Sequence, residues 1–123
     1  MFFESRYVPN VLAPGRAREA VGAFLEATLP EEKVRDAQLM TNELVANSVL
    51  HSGMGRDGSI GLHVQTTAGY VRVEVDDQGP GFEYPTIPPT DDAGWGFLIV
   101  DGLSDRWGIV RADPCYVWFE IDR

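Results

Sequence analysis

Three stretches of the chain repeat apolar residues at intervals of three and four, which is the spacing of an amphipathic helix. The first begins near Pro14 and carries the stripe Ala17, Ala20, Val21, Phe24, Leu25 and Thr28. The second runs from Pro30 to about His51, and proline suits the first turn of both helices. The third covers residues 94–103, with inward positions expected at Phe97, Val100 and Leu103.

Five other stretches have the composition or the alternation of β-strands, and they lie near residues 2–7, 60–66, 70–75, 107–111 and 116–121. A short turn at residues 67–69 joins the second and third of them, which predicts an antiparallel hairpin. Residues 78–93 are rich in proline and glycine and predict a long functional loop. Together the elements predict an α+β fold, a two-layer α/β sandwich whose mostly antiparallel sheet carries the helices on one face.

Length and charge narrow the classes of function. We expect residues 1–123 to form a single domain, because this length supports one core but not a second of similar size. A net charge of -9, with Lys33 as the only lysine, argues against a nucleic-acid binder, which would gather basic residues to neutralise phosphates. Cys115 is the only cysteine and suits a core position. The chain has no apolar run of membrane-spanning length, so we expect a cytoplasmic protein.

Polar residues follow one face of the second predicted helix. Glu43, Asn47 and His51 are spaced four apart, which stacks their side chains. Such a stripe is usually a solvated face, while Val34, Ala37, Met40, Leu44, Val45 and Val49 would supply the core. The alternative is chemical: Asn47 offers an amide oxygen to Mg²⁺, which prefers oxygen ligands, and Glu43 activates the group that attacks a phosphate.

Two glycine patterns follow farther along the chain. The strand ending at Asp77 runs into the pattern Asp-x-Gly-x-Gly, in which Gly79 and Gly81 would let the backbone approach a flat ligand. The carboxylate of Asp77 could accept the exocyclic amine of adenine, although aspartate and glycine are also common in ordinary turns. The pattern Gly94-Trp95-Gly96-Phe97 then opens the third helix, where free backbone amides attract phosphate; a simple loop with two glycines is the alternative.

The three patterns occur in an order that independent coincidences would rarely produce. In that order they resemble the N box, first glycine box and second glycine box of the GHKL superfamily of ATPases and kinases, at residues 43–51, 77–81 and 94–98. The resemblance extends over nearly the whole chain. The short length and the stretch 103–108 look most like the stand-alone anti-sigma-factor serine/threonine kinases, rather than gyrase-type, chaperone-type or sensor-kinase members.

The resemblance implies a Bergerat-type ATP-binding fold, ATP and Mg²⁺ as ligands, and a role for each matched residue. Glu43 would be the general base, and Asn47 would bind nucleotide and hold Mg²⁺. Asp77 would recognise adenine, and the phosphates would lie beneath a lid at residues 82–93. The remaining nucleotide-binding positions would be Gly79, Gly81, Gly94, Trp95, Gly96 and Phe97.

The same resemblance implies partners and an activity. The protein would phosphorylate an anti-sigma antagonist of the STAS type, bind a sigma factor and form a homodimer, without touching nucleic acid or membrane. One feature departs from the family: no lysine or arginine occurs between Val73 and Asp105, so the lid lacks a basic residue. Two alternatives therefore stay open, a nucleotide-binding switch module with weak or no catalysis, and a stand-alone histidine-kinase-like ATPase domain.

Overall fold

A computed structural model describes residues 1–51, 58–77, 95–112 and 115–123, and of residues 51, 95 and 96 it describes the backbone alone. Within these ranges, three helices and five strands follow one another in the order β-α-α-β-β-α-β-β. No described helix is both long enough and apolar enough to cross a membrane.

The helices lie where the apolar spacing predicts them. They are α1 (Ala13–Leu25), α2 (Glu31–His51) and α3 (Trp95–Leu103). Pro14 lies in the first turn of α1, where its missing N–H costs no hydrogen bond, and Glu31 and Glu32 occupy the first turn of α2. The apolar stripe of α1 is predicted to reach Thr28, but the helix ends at Leu25, whose carbonyl accepts the N–H groups of Thr28 and Leu29 in a closing turn.

The strands form one sheet in which every described pairing is antiparallel. They are β1 (Phe2–Tyr7), β2 (Ile60–Thr66), β3 (Tyr70–Asp77), β4 (Arg106–Val110) and β5 (Cys115–Asp122). Their order across the sheet is β1-β2-β3-β5-β4, so the predicted hairpin of β2 and β3 is confirmed and lies inside the sheet, and β1 forms an edge. The α+β sandwich is confirmed.

The core lies between the helices and one face of the sheet. Alternation places Val64, Val73 and Phe119 on that face, where all three are fully buried. The helices contribute Val21 and Met40, together with the other buried apolar positions Ala13, Ala17, Leu25, Val34, Ala37, Leu44, Val45, Phe97 and Val100. Burial of this apolar surface is the main force that holds the two layers together.

One of the inward positions predicted from periodicity is wrong. Leu103 is 36% exposed because it is the last residue of α3, whereas Ala20, Phe24 and Val49 are partly buried and pack against the core. Helical spacing predicts which face of a helix turns inward, but it does not predict how far the covering layer extends along that helix.

Candidate functional site

The predicted polar face of α2 is not uniformly solvated. Glu43 is partly buried, and Asn47, one turn farther on, is 6% exposed. The side-chain nitrogen of Asn47 has no hydrogen-bond partner among the described residues. A buried amide without a partner costs about 1–3 kcal/mol, so its retention suggests that a ligand or water completes it. The solvated-face interpretation is therefore wrong for Asn47.

The carboxylate of Asp77 lies at the end of an inner strand. Asp77 is the last residue of β3 and is 2% exposed. Its backbone is fixed on both sides, because it pairs with Ile60 of β2 and with Cys115 of β5. A carboxylate held rigidly at the end of this strand can accept hydrogen bonds from a ligand amine without reorganising.

The neighbouring aspartate is engaged on the opposite face of the sheet. Asp76 accepts hydrogen bonds from Arg6 at 3.1 Å and from His63 at 2.6 Å, and it is 6% exposed. The other ring nitrogen of His63 lies 3.1 Å from the carboxylate of Glu4. Since successive strand residues point to opposite faces, these contacts of Asp76 lie on the outer face of the sheet, whereas Asp77 points to the helical face.

Cys115 is a neighbour of Asp77 that the sequence motifs do not include. It lies directly across the β3–β5 pairing and is 9% exposed, which confirms its predicted core position. Burial, and after it the negative charge of Asp77, raise the pKa of the Cys115 thiol, while Arg111 lowers it by less. Only the strand register reveals this neighbour, because 38 positions of sequence separate the two residues.

The third predicted motif lies at the start of α3. The helix begins at Trp95, its first turn contains no acidic residue, and Phe97 is fully buried with its ring centroid 5.7 Å from that of Trp107. Packing of Phe97 fixes where the N-terminal end of α3 lies. A helix start free of acidic side chains suits an anion such as phosphate, because its amides and its dipole are not already neutralised.

The structure brings the elements that carry the three motifs into contact, since α2 packs against both β3 and α3. The predicted residues Gly79, Gly81 and Gly94, and the predicted lid at 82–93, lie outside the described residues. Only the backbone is described for Trp95, Gly96 and His51. The roles predicted for all of these residues stay predictions.

The described residues also show which side chains could hold the predicted Mg²⁺ ion. No group of three histidine, cysteine or acidic side chains in the described ranges is arranged to hold a metal ion. Asn47 offers one buried amide with an unsatisfied nitrogen, and its oxygen is a ligand type that Mg²⁺ accepts. This donor set fits an ion held by one side chain together with nucleotide phosphates and water.

Comparison with known proteins identifies the family. Residues 11–116 match the sequence model of a protein family that is described as histidine kinase-like ATPase domain. The chain is similar to proteins named anti-sigma F factor from Clostridium botulinum strains Eklund 17B and Alaska E43, each 30% identical over 100 residues that cover 72% of this chain and 70% of the relative. A protein of the same name from Clostridium novyi is 28% identical over 101 residues.

The matched region contains α2, the end of β3 and the start of α3, so the resemblance inferred from the three boxes is confirmed. The chain belongs to the histidine kinase-like ATPase family and is an ATP-binding protein of the anti-sigma-factor type.

Proposed function

We propose that the protein is a serine/threonine kinase that uses Mg-ATP to phosphorylate an STAS-type anti-sigma antagonist and that also binds a sigma factor. The observation that carries the proposal is the burial of Asn47 and Asp77 on two elements in contact, α2 and β3. The names of the relatives support the regulatory setting. A protein with these partners would act in the cytoplasm, and we propose that it does so as a homodimer.

The proposed reaction is an in-line transfer. The oxygen of a serine or threonine hydroxyl attacks the γ-phosphorus, the bond to the β–γ bridging oxygen breaks, and ADP leaves. Glu43, which is partly exposed, takes the proton of the hydroxyl. Asp77 accepts the adenine amine, and Asn47 holds Mg²⁺ through its amide oxygen. When bound, Mg²⁺ supplies positive charge to the phosphates.

Nucleotide binding is tested first, by calorimetry with Mg-ATP and Mg-ADP. Ligand at a hundred times its dissociation constant stabilises the folded state by about 2.7 kcal/mol, so a rise in Tm provides a second readout. Asp77→Asn should weaken binding about tenfold or more, because it removes the charged acceptor at a buried site. Millimolar Mg-ATP that produces neither heat nor a shift in Tm would disprove the proposal.

Phosphoryl transfer is tested next, with labelled ATP and a purified STAS-domain protein. Glu43→Gln should abolish transfer and leave nucleotide affinity unchanged, because the base does not contact the nucleotide in the ground state. Glu32→Gln on the exposed start of the same helix is the matched control and should transfer at the normal rate. Transfer that survives Glu43→Gln would remove Glu43 from the mechanism.

A second function is supported by a specific feature of the sequence. Because no lysine or arginine lies between Val73 and Asp105, neither the lid nor the start of α3 supplies a positive side chain to a transferring phosphoryl group. A non-catalytic module that uses nucleotide to present a partner surface would bind ATP and a sigma factor without forming phosphoprotein. An acid-labile, base-stable phosphoadduct would instead indicate histidine phosphorylation. Light scattering on the purified chain tests the dimer.

A further inference from the structure

A groove of about 480 Å³ runs between the outer surfaces of α1 and α2, away from the sheet. On the α1 side it is lined by Glu19 and Ala23 and by Glu26, which directly follows the last residue of α1 with helical backbone angles, so the three share one face at spacings of four and three. On α2 it is lined by Glu31 and Val34. The groove lies toward the start of α2, whereas the candidate nucleotide site lies toward its end.

Small residues keep this groove open and give it an apolar floor. Gln38 crosses from α2 and donates a hydrogen bond to the backbone carbonyl of Arg18 at 3.1 Å. Gly22 makes this approach feasible, since a Cβ at that position would overlap the side-chain amide of Gln38. The floor beside this contact consists of the methyl group of Ala23 and the side chain of Val34, which is 8% exposed.

The charge around the groove indicates what kind of partner fits it. Glu19 and Glu26 are exposed and have no ion pair with any described residue, and Glu31 pairs only with Arg35. That pair is 2.7 Å long, but both side chains are more than 70% exposed, so it is easily exchanged. An apolar floor between unpaired carboxylates is complementary to a side chain with an aliphatic stem and a cationic head, such as arginine.

We propose that the groove between α1 and α2 docks an amphipathic helix of a protein partner that carries arginines seven residues apart. Glu19 and Glu26 are separated by two helical turns, about 10.5 Å along the axis, and a helix lying parallel to α1 presents its own positions i and i+7 at the same interval. The arginine stems pack on Ala23 and Val34, and the guanidinium groups donate to the two glutamates. This docking does not depend on nucleotide binding.

The test uses the whole chain and a synthetic helical peptide of about 18 residues, or five turns. The peptide carries arginines at i and i+7 with alanine and leucine on the same face, and a scrambled peptide of equal composition spreads the arginines around the helix. Fluorescence anisotropy should show saturable binding of the first peptide that weakens as salt is added. Equal binding of both peptides, or no saturation at millimolar protein, would overturn the proposal.

Three variants locate the binding surface. Glu19→Gln and Glu26→Gln should each weaken peptide binding about two- to fivefold, as expected for exposed ion pairs. Glu32→Gln removes the same charge from outside the groove and should leave binding unchanged. Ala23→Trp, at an exposed position, should block the floor and abolish binding while circular dichroism and Mg-ATP affinity stay normal. If Glu32→Gln weakens binding as much as the groove variants do, only the general negative charge attracts the peptide and the proposal fails.

Discussion

Glu120 joins three strands of the sheet through two arginines, and replacing it by glutamine tests how much that connection stabilises the fold. Its carboxylate accepts hydrogen bonds from Arg72 of β3 at 2.9 Å and from Arg106 of β4 at 2.7 Å. Glu120 itself is on β5 and is 9% exposed. The same β3–β5 pairing holds Asp77 opposite Cys115. The position of Asp77 in the candidate site therefore depends on the register of these two strands.

The loss of stability expected for Glu120→Gln follows from how exposed its two ion pairs with arginine are. Hydrogen bonds to charged groups contribute about 1.5–3 kcal/mol when well buried, and exposed ion pairs contribute less than about 1 kcal/mol. Arg72 is 22% exposed and Arg106 is 46% exposed, and each keeps a second carboxylate partner. We therefore expect Glu120→Gln to lower the free energy of unfolding by about 1–2 kcal/mol at pH 7, or Tm by about 4–8 °C.

The effect should also depend on pH. Burial alone would raise the pKa of Glu120, but hydrogen bonds from Arg106 and Arg72 and their charges outweigh it, so the pKa lies below the ordinary value of 4.5. A carboxyl whose folded-state pKa is lowered contributes stability that is complete above its unfolded pKa and is lost as the pH falls through the folded value. The difference between wild type and Glu120→Gln should therefore be constant near pH 7 and shrink below about pH 4.5.

Urea denaturation at several pH values measures this difference. Glu19→Gln, which removes an exposed carboxylate with no described ion pair from the middle of α1, is the control and should change stability little at any pH. If Glu120→Gln destabilises no more than Glu19→Gln at pH 7, or if its effect is the same at pH 3 as at pH 7, then the two arginine contacts do not stabilise the sheet as argued.

Two further predictions concern the strands around the site. Gly61→Ala should cost about 1–3 kcal/mol in a thermal or urea melt, as overpacking does, because the new Cβ would lie 2.5 Å from Oδ2 of Asp76. Gly69→Ala, which meets nothing within 4 Å, should be nearly neutral, and equal effects of the two would refute the packing argument. The raised pKa of Cys115 should make its reaction with iodoacetamide slow at pH 8 in the folded protein. Asp77→Asn removes a charge that raises this pKa and should speed the reaction; an unchanged rate in a folded variant would contradict that cause.

Much of the fold follows from local patterns in the sequence. Apolar spacing and proline placement locate α1, α2 and α3 within a few residues, and alternation locates the five strands, with β1 at Phe2–Tyr7 as predicted. These features are local because hydrogen bonds within a helix and the two faces of a strand depend on neighbouring residues. The order of the three boxes similarly identifies the family before any contact is known.

What the sequence by itself determined is therefore the element types, the layer architecture and the candidate residues Glu43, Asn47 and Asp77. Only the tertiary structure decided that Asn47 is buried and that Asp76, rather than Asp77, is occupied by Arg6 and His63. Burial and ion pairing depend on residues far away in the chain, brought together by strand order and register. Periodicity within one segment contains no information about such distant neighbours.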